Sequence, residues 1–211
     1  MDDLGVGYVT PEEVPLNLDI KDYVFFVRQA ITVDYFDFFK TKLFYAINTC
    51  AVCDFIIKLP IVDQVLKAVD LMPNVWRLLI RFRDEYLAVN NNDFETLTKK
   101  IGNKTKLQHI DLMNFDLPNN WERVCKKNFQ NLSNLSRLCI YRPAPKISIN
   151  VIDLHDLMTE KNISVSIFDI QDDSFVELPE FKHRFKLQEQ STDGKRLYIS
   201  KSMKFYHCLP L

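Results

Sequence analysis

Residues Val75 to Arg83 alternate strictly between two kinds of side chain. Trp76, Leu78, Ile80 and Phe82 fall on one side, and Arg77, Leu79, Arg81 and Arg83 on the other. A period of two is the mark of a β-strand with one dry and one wet face. The chain must therefore build a sheet that buries the tryptophan side and leaves the guanidinium side in water.

The flanking sequence supplies candidate neighbours. Ile47 to Leu59 reads as a strand, ended by Pro60, and Gln64 to Leu71 as a second, leading into a turn at Met72-Pro73-Asn74. Asn92 or Asp93 is placed to cap a helix with Phe94, Leu97 and Ile101 on one face and Gly102 at its end. Another helix is expected from Asn119 or Asn120, with Trp121, Val124 and Cys125 inward. Arg137 to Arg142 and Lys146 to Ile152 read as strands joined by Pro143-Ala144-Pro145, which excludes helix at the join. A short helix follows, with Asp153 as cap and Leu154, Leu157 and Met158 apolar, and Ile163 to Ile170 is a further strand candidate. Residues 1–22, with Pro11 and Pro15, read as an extended arm. From Tyr23 to Phe44 aromatics crowd together, and helical and strand templates both fit poorly. No internal repeat is visible.

Charge is uneven although the net value is only -1. Acids concentrate in the first forty residues. Bases gather at Arg77, Arg81 and Arg83 and at Lys99, Lys100, Lys104 and Lys106, where an anionic partner would meet the chain. Met1 leads into Asp2 and Asp3 and not into a basic then apolar run, so no signal peptide is expected. The five scattered cysteines suit a reducing compartment, cytoplasm or nucleus, better than a disulfide framework. Cys50-Ala-Val-Cys53 has metal or redox spacing, but no second pair completes a zinc site, and structural burial in a strand is the better reading. The four histidines accompany no nucleophile elbow or phosphate loop. No catalytic residue, metal or cofactor is assigned, and Trp76 and Trp121 are both read as core anchors.

Five strands, grouped three and two around helical material, follow the order of an OB barrel. Val65 to Leu71 with Trp76 to Phe82 resembles the second and third strands of the middle subunit of replication protein A. Arg137 to Arg142 and Lys146 to Ile152, running into Asp153-Leu154-His155-Asp156, resembles that family's closing hairpin and exit helix. Val24-Phe25-Phe26 through Phe39 is similar to the segment before the barrel in the OB subunit of the CST telomere complex. The family's pattern is departed from in a longer connector at residues 84–135 and a shorter last helix.

The expected fold is thus mainly β with added helices. Residues 23–160 form a single five-stranded OB-fold barrel with a helical insertion between strands three and four, and residues 161–211 a C-terminal extension. The resemblance implies a non-enzymatic, single-stranded DNA-binding subunit of a telomere-capping complex in the nucleus, at chromosome ends. Its implied partners are single-stranded DNA and other capping proteins, Modigliani and Tea among them, with no membrane and no small-molecule substrate. Nucleic acid would meet Lys67, Arg77, Arg81, Arg83, Tyr141, Arg142 and Lys146. Cations would follow phosphates, and Tyr141 would stack on a base. Phe25, Phe36, Phe39, Leu154, Leu157 and Met158 would meet partner proteins. Two alternatives stand beside this: arginines on a merely solvated sheet face, and an OB scaffold that binds only protein.

Overall fold

The computed structural model describes residues 27–33, 37, 52–59, 61–72, 75–81, 87–144, 147–188, 197–201 and 204–210. The elements in chain order are β1 (Val27–Val33), β2 (Val52–Ile57), α1 (Val62–Leu71), β3 (Val75–Arg81), β4 (Leu87–Ala88), α2 (Asn91–Gly102), β5 (His109–Met113) and β6 (Phe115–Asp116). They continue with α3 (Trp121–Asn128), β7 (Arg137–Tyr141), α4 (Val151–Lys161), β8 (Ser164–Phe168), a 3-10 turn (Ser174–Glu177), α5 (Pro179–Arg184), β9 (Phe185–Gln188), β10 (Leu197–Lys201) and β11 (Lys204–Pro210). The result is an α/β fold around one mixed nine-stranded sheet, in the order β1-β2-β3-β5-β7-β8-β10-β11-β9.

From β1 to β10 every neighbouring pair in that sheet is parallel. Parallel neighbours need a crossover, and helices α1 to α4 supply crossovers here. Because the strand order follows the chain, crossovers of one hand keep all helices on one face. The helices indeed form a single layer, α1 against α2, α2 against α3, α3 against α4, and α4 against α5. At the C-terminal end the direction reverses: β11 is antiparallel to both β10 and β9.

The sheet is open, so the five-stranded barrel expected from sequence is corrected. A closed OB barrel needs its end strands to meet, whereas β1 and β9 lie at opposite edges. Two strand expectations also fail. Gln64 to Leu71 lies in α1, where Val65, Ala68 and Val69 are buried at helical spacing and Lys67 pairs with Asp63 one turn away. Of Lys146 to Ile152, the described part, residues 147–152, leads into α4 instead. Asn150 is its N-cap, accepting the N–H groups of Ile152 and Asp153 at 3.1 Å each, so Asp153 is not the cap. The apparent hairpin partner was a helix start. The boundary expected at residue 160 is crossed by the sheet itself, since β8 pairs with β7 along its whole length.

The core lies between the sheet and the helical layer. Two inward rungs run across the strands: Leu78, Ile110, Leu138, Val165 and Leu197, then Ile80, Leu112, Ile140, Ile167 and Ile199. All ten are buried, together with Phe94, Leu97, Ile101, Cys125, Leu154 and Leu157 from the helices. The strand expected at Val75 is present, and Leu78 and Ile80 face inward as expected. Trp76 does not: it is 47% exposed. It occupies the register position of Gln108 and Ser136, one residue before the pairing of β3 with β5 and of β5 with β7 begins.

The strand ends repeat as well. Asn114, Arg142 and Asp169 directly follow β5, β7 and β8, and each has a positive φ, 62°, 47° and 59°. The Asn114 N–H donates to the Tyr141 carbonyl at 3.0 Å, and the Arg142 N–H to that of Phe168 at 2.9 Å. Each turn is therefore stitched to the next strand. Asn and Asp tolerate this left-handed region readily, and Arg142 is the less usual occupant.

One buried carboxyl joins two helices. Glu122 is fully enclosed in the first turn of α3, and its Oε1 accepts the Asn150 N–H at 2.8 Å, while Oε2 has no hydrogen-bond partner. Burial, and then the charge of Asp153, push its pKa from 4.5 to about 8. The folded state thus holds a proton that the unfolded chain releases. This contribution to stability is complete below pH 4.5 and is lost as pH rises to about 8. Urea unfolding at pH 5 and pH 8 is expected to show a loss on the order of a few kcal/mol that Glu122→Gln, with no proton to lose, largely removes. Equal pH dependence in both proteins would contradict this.

Candidate functional site: the open face of the sheet

Side chains alternate along each strand, so the residues between the buried rungs point away from the helices. In register these are Arg77, His109, Arg137 and Ser164; then Leu79, Asp111, Cys139, Ser166 and Tyr198; then Arg81, Met113, Tyr141 and Phe168. The buried residues of the described helices share one core with the inward rungs, on the opposite side of the sheet.

Among the residues whose side chains are described, two acids set its electrostatics. Asp111 is only 2% exposed and accepts from Arg77 Nε at 2.5 Å, across neighbouring strands. A carboxylate so enclosed is held by that guanidinium, so Arg77 is largely committed within the fold. At the upper rim Arg142 reaches Asp169 at 3.5 Å, a loose exposed pair of little energetic weight. Arg137 Nη2 lies 3.5 Å from Ser166 Oγ, and neither Arg137 Nε nor Arg81 Nε has a hydrogen-bond partner although both atoms are buried.

The apolar part is equally ordered. Tyr141 and Phe168 stack with ring centroids 4.8 Å apart and planes 13° from parallel. Such a pair adds about 0.5–1.5 kcal/mol beyond its burial. Burial, then the neighbouring Cys139 and Asp111, push the Tyr141 hydroxyl up to about 12. Burial, then Asp111, push the Cys139 thiol up to about 11. At neutral pH both stay protonated, so Cys139 is an inert thiol and Tyr141 a hydrogen-bonding aromatic.

The sequence-derived sites divide accordingly. Arg77, Arg81 and Tyr141 share the open face, and Arg142 sits at its rim. Lys67 lies elsewhere, on α1, paired with Asp63 at 2.6 Å. Leu154, Leu157 and Met158 are fully buried beneath α4, so they hold that helix to the sheet and offer no surface to a partner. Phe25, Phe36, Phe39, Arg83 and Lys146 lie outside the described residues. Cys53 falls within β2, and Cys50 lies outside the described residues.

Sequence reasoning missed His109, Asp111, Met113, Arg137 and Phe168 as members of the same face. A signal was present. Val75-x-x-Leu78-x-Ile80, Leu107-x-x-Ile110-x-Leu112 and Leu135-x-x-Leu138-x-Ile140 are one spacing used three times, each bringing a strand into the sheet. A separate depression of about 490 Å³, lined by Val89, Asn90, Asp116, Leu117 and Asn120 among others, carries Asp116 as its one acid. Compared with protein-family models, with curated proteins and with solved structures, the chain matches none of them.

Proposed function

We propose that this chain is a non-enzymatic binding scaffold, a short strand-and-helix solenoid whose open sheet face docks another protein. Stacked units of this kind, each contacting its neighbours alone, present extended surfaces suited to recognition. One observation carries the reading. Large side chains (Leu79, Arg81, Met113, Arg137, Tyr141) stand in register on the sheet face opposite the core shared with the described helices, partly exposed and organised by buried partners. Arginine, tyrosine and methionine are the residues enriched where proteins meet.

A second reading, single-stranded DNA along the same face, in keeping with a telomere-capping subunit in the nucleus, is favoured by Arg77, Arg81 and Arg137 lying on one surface. Two features weigh against it. Asp111 already neutralises Arg77, and one face of the Tyr141 ring is occupied by Phe168. Filter binding of the isolated chain to oligo(dT) at two salt concentrations, beside selection of binders from a displayed peptide library, separates the two. The scaffold reading expects peptides that lose binding about tenfold or more on Tyr141→Ala, a hot-spot loss. It also expects little oligonucleotide retained. Tight oligo(dT) binding that weakens steeply with salt, with no peptide selected, would reverse the assignment.

A further inference from the structure

Two guanidiniums on the open face differ from the rest. Arg77 has Asp111 and Arg142 has Asp169, but Arg81 and Arg137 have no carboxylate partner among the described residues. Each is partly exposed, with Nε enclosed and unbonded. An arginine stripped of water at one nitrogen and lacking a counter-charge is a poor way to finish a free surface. It is a good way to prepare one for an anion, because part of the desolvation is already complete and the planar fork matches a carboxylate.

We propose that the face takes an extended acidic segment of a partner protein, with carboxylates meeting Arg81 and Arg137, a partner identity that stands on the docking-face reading above. The spacing follows from the register. Arg137 is in line with Arg77, two strands from β3, and Arg81 lies four residues further along β3. Strands about 4.8 Å apart and a rise of about 3.3 Å per residue put the two arginines roughly 16 Å apart at the backbone. An extended chain covers that in about five residues. Leu79, Met113 and Tyr141 flank the path and accept apolar side chains between the acids. Asp111 lies beneath it, but it is buried and bound to Arg77, so it presents no free negative charge.

The probe is a short fluorescein-labelled peptide with glutamates about five residues apart and Leu and Tyr between them, read by anisotropy. The same peptide with Gln for Glu, the same with Lys for Glu, and oligo(dT) serve as comparisons. Wild-type protein is expected to prefer the Glu peptide to the Gln peptide by at least about tenfold. The double variant Arg81→Glu/Arg137→Glu should lose the Glu peptide and gain the Lys peptide. Arg81→Gln/Arg137→Gln should lose the preference without gaining the Lys peptide. Circular dichroism checks that the variants fold, and the Gln variant carries the test if charge reversal prevents folding.

Equal binding of the Glu and Gln peptides, both lost in Tyr141→Ala, would overturn the acidic partner and leave the docking face standing. Binding of oligo(dT) with no peptide bound would overturn both. Binding of no probe at all would also overturn the acidic segment.

Discussion

Trp121→Ala is expected to destabilise the protein by about 3–5 kcal/mol, a large fraction of what holds a domain of this size together. The indole is fully buried at the first position of α3, and its Nε1–H donates to the Ser148 carbonyl at 3.1 Å, in the segment that leads into α4. The adjacent Glu122 holds the Asn150 N–H at the cap of the same helix. Truncation leaves a cavity the size of an indole and removes one of the two hydrogen bonds by which buried side chains tie α3 to the start of α4, leaving only exposed or half-exposed ion pairs beside that of Glu122. Trp76→Ala is the matching control. That ring is 47% exposed at the rim, and its loss should cost no more than about 0.5 kcal/mol. Urea unfolding of the two variants side by side checks this, and similar midpoints would contradict the assignment of one tryptophan to the core and the other to the surface.

Gly102→Ala should be the next most damaging change, on the order of 2–3 kcal/mol. Alanine normally favours a helix over glycine by about 1 kcal/mol, so the expected sign is the reverse of propensity. A Cβ at this position would stand 2.1 Å from the Asn128 carbonyl oxygen and 3.2 Å from its carbon. That oxygen is backbone, and it cannot swing aside as a side chain would. The ends of α2 and α3 must separate, straining the bond from Asn128 Nδ2 to Thr98 Oγ1 at 2.7 Å and loosening the helical layer. A thermal midpoint that is unchanged or higher would show that the helices do not approach so closely.

The sequence disclosed this fold unevenly, for physical reasons. Val75 to Arg81 was legible because one strand with a buried and a wet side writes a period of two. The helix at Asn91–Gly102 was legible because Phe94, Leu97 and Ile101 recur at helical spacing. Val62–Leu71 was misread because its buried residues are few, and a short apolar run fits both templates. The alternation of Ile147, Ile149 and Val151 similarly concealed the start of α4. The larger miss was architectural. Strands that pair in parallel after helical crossovers leave no hairpin signal, and the repeated Leu-x-x-Leu-x-Leu spacing is diluted by units of unequal length. The candidate site was half legible: Arg77, Arg81 and Tyr141 could be placed on a wet face. Asp111, which decides that Arg77 is paired, is four residues from Leu107 in another unit and becomes its partner only through the register of β3 with β5.

The most direct measurement is photo-crosslinking from the two sides of the molecule. A benzophenone side chain replaces Leu79, between the two arginines of the open face that have no carboxylate partner among the described residues, or Thr96, exposed on the outer side of α2. Each protein is irradiated with the labelled Glu-containing peptide. Docking on the open face requires a crosslink from position 79 and none from position 96. Labelling from position 96 alone, or equally from both, would mean that the partner meets the helices and that the open sheet face is not the binding surface.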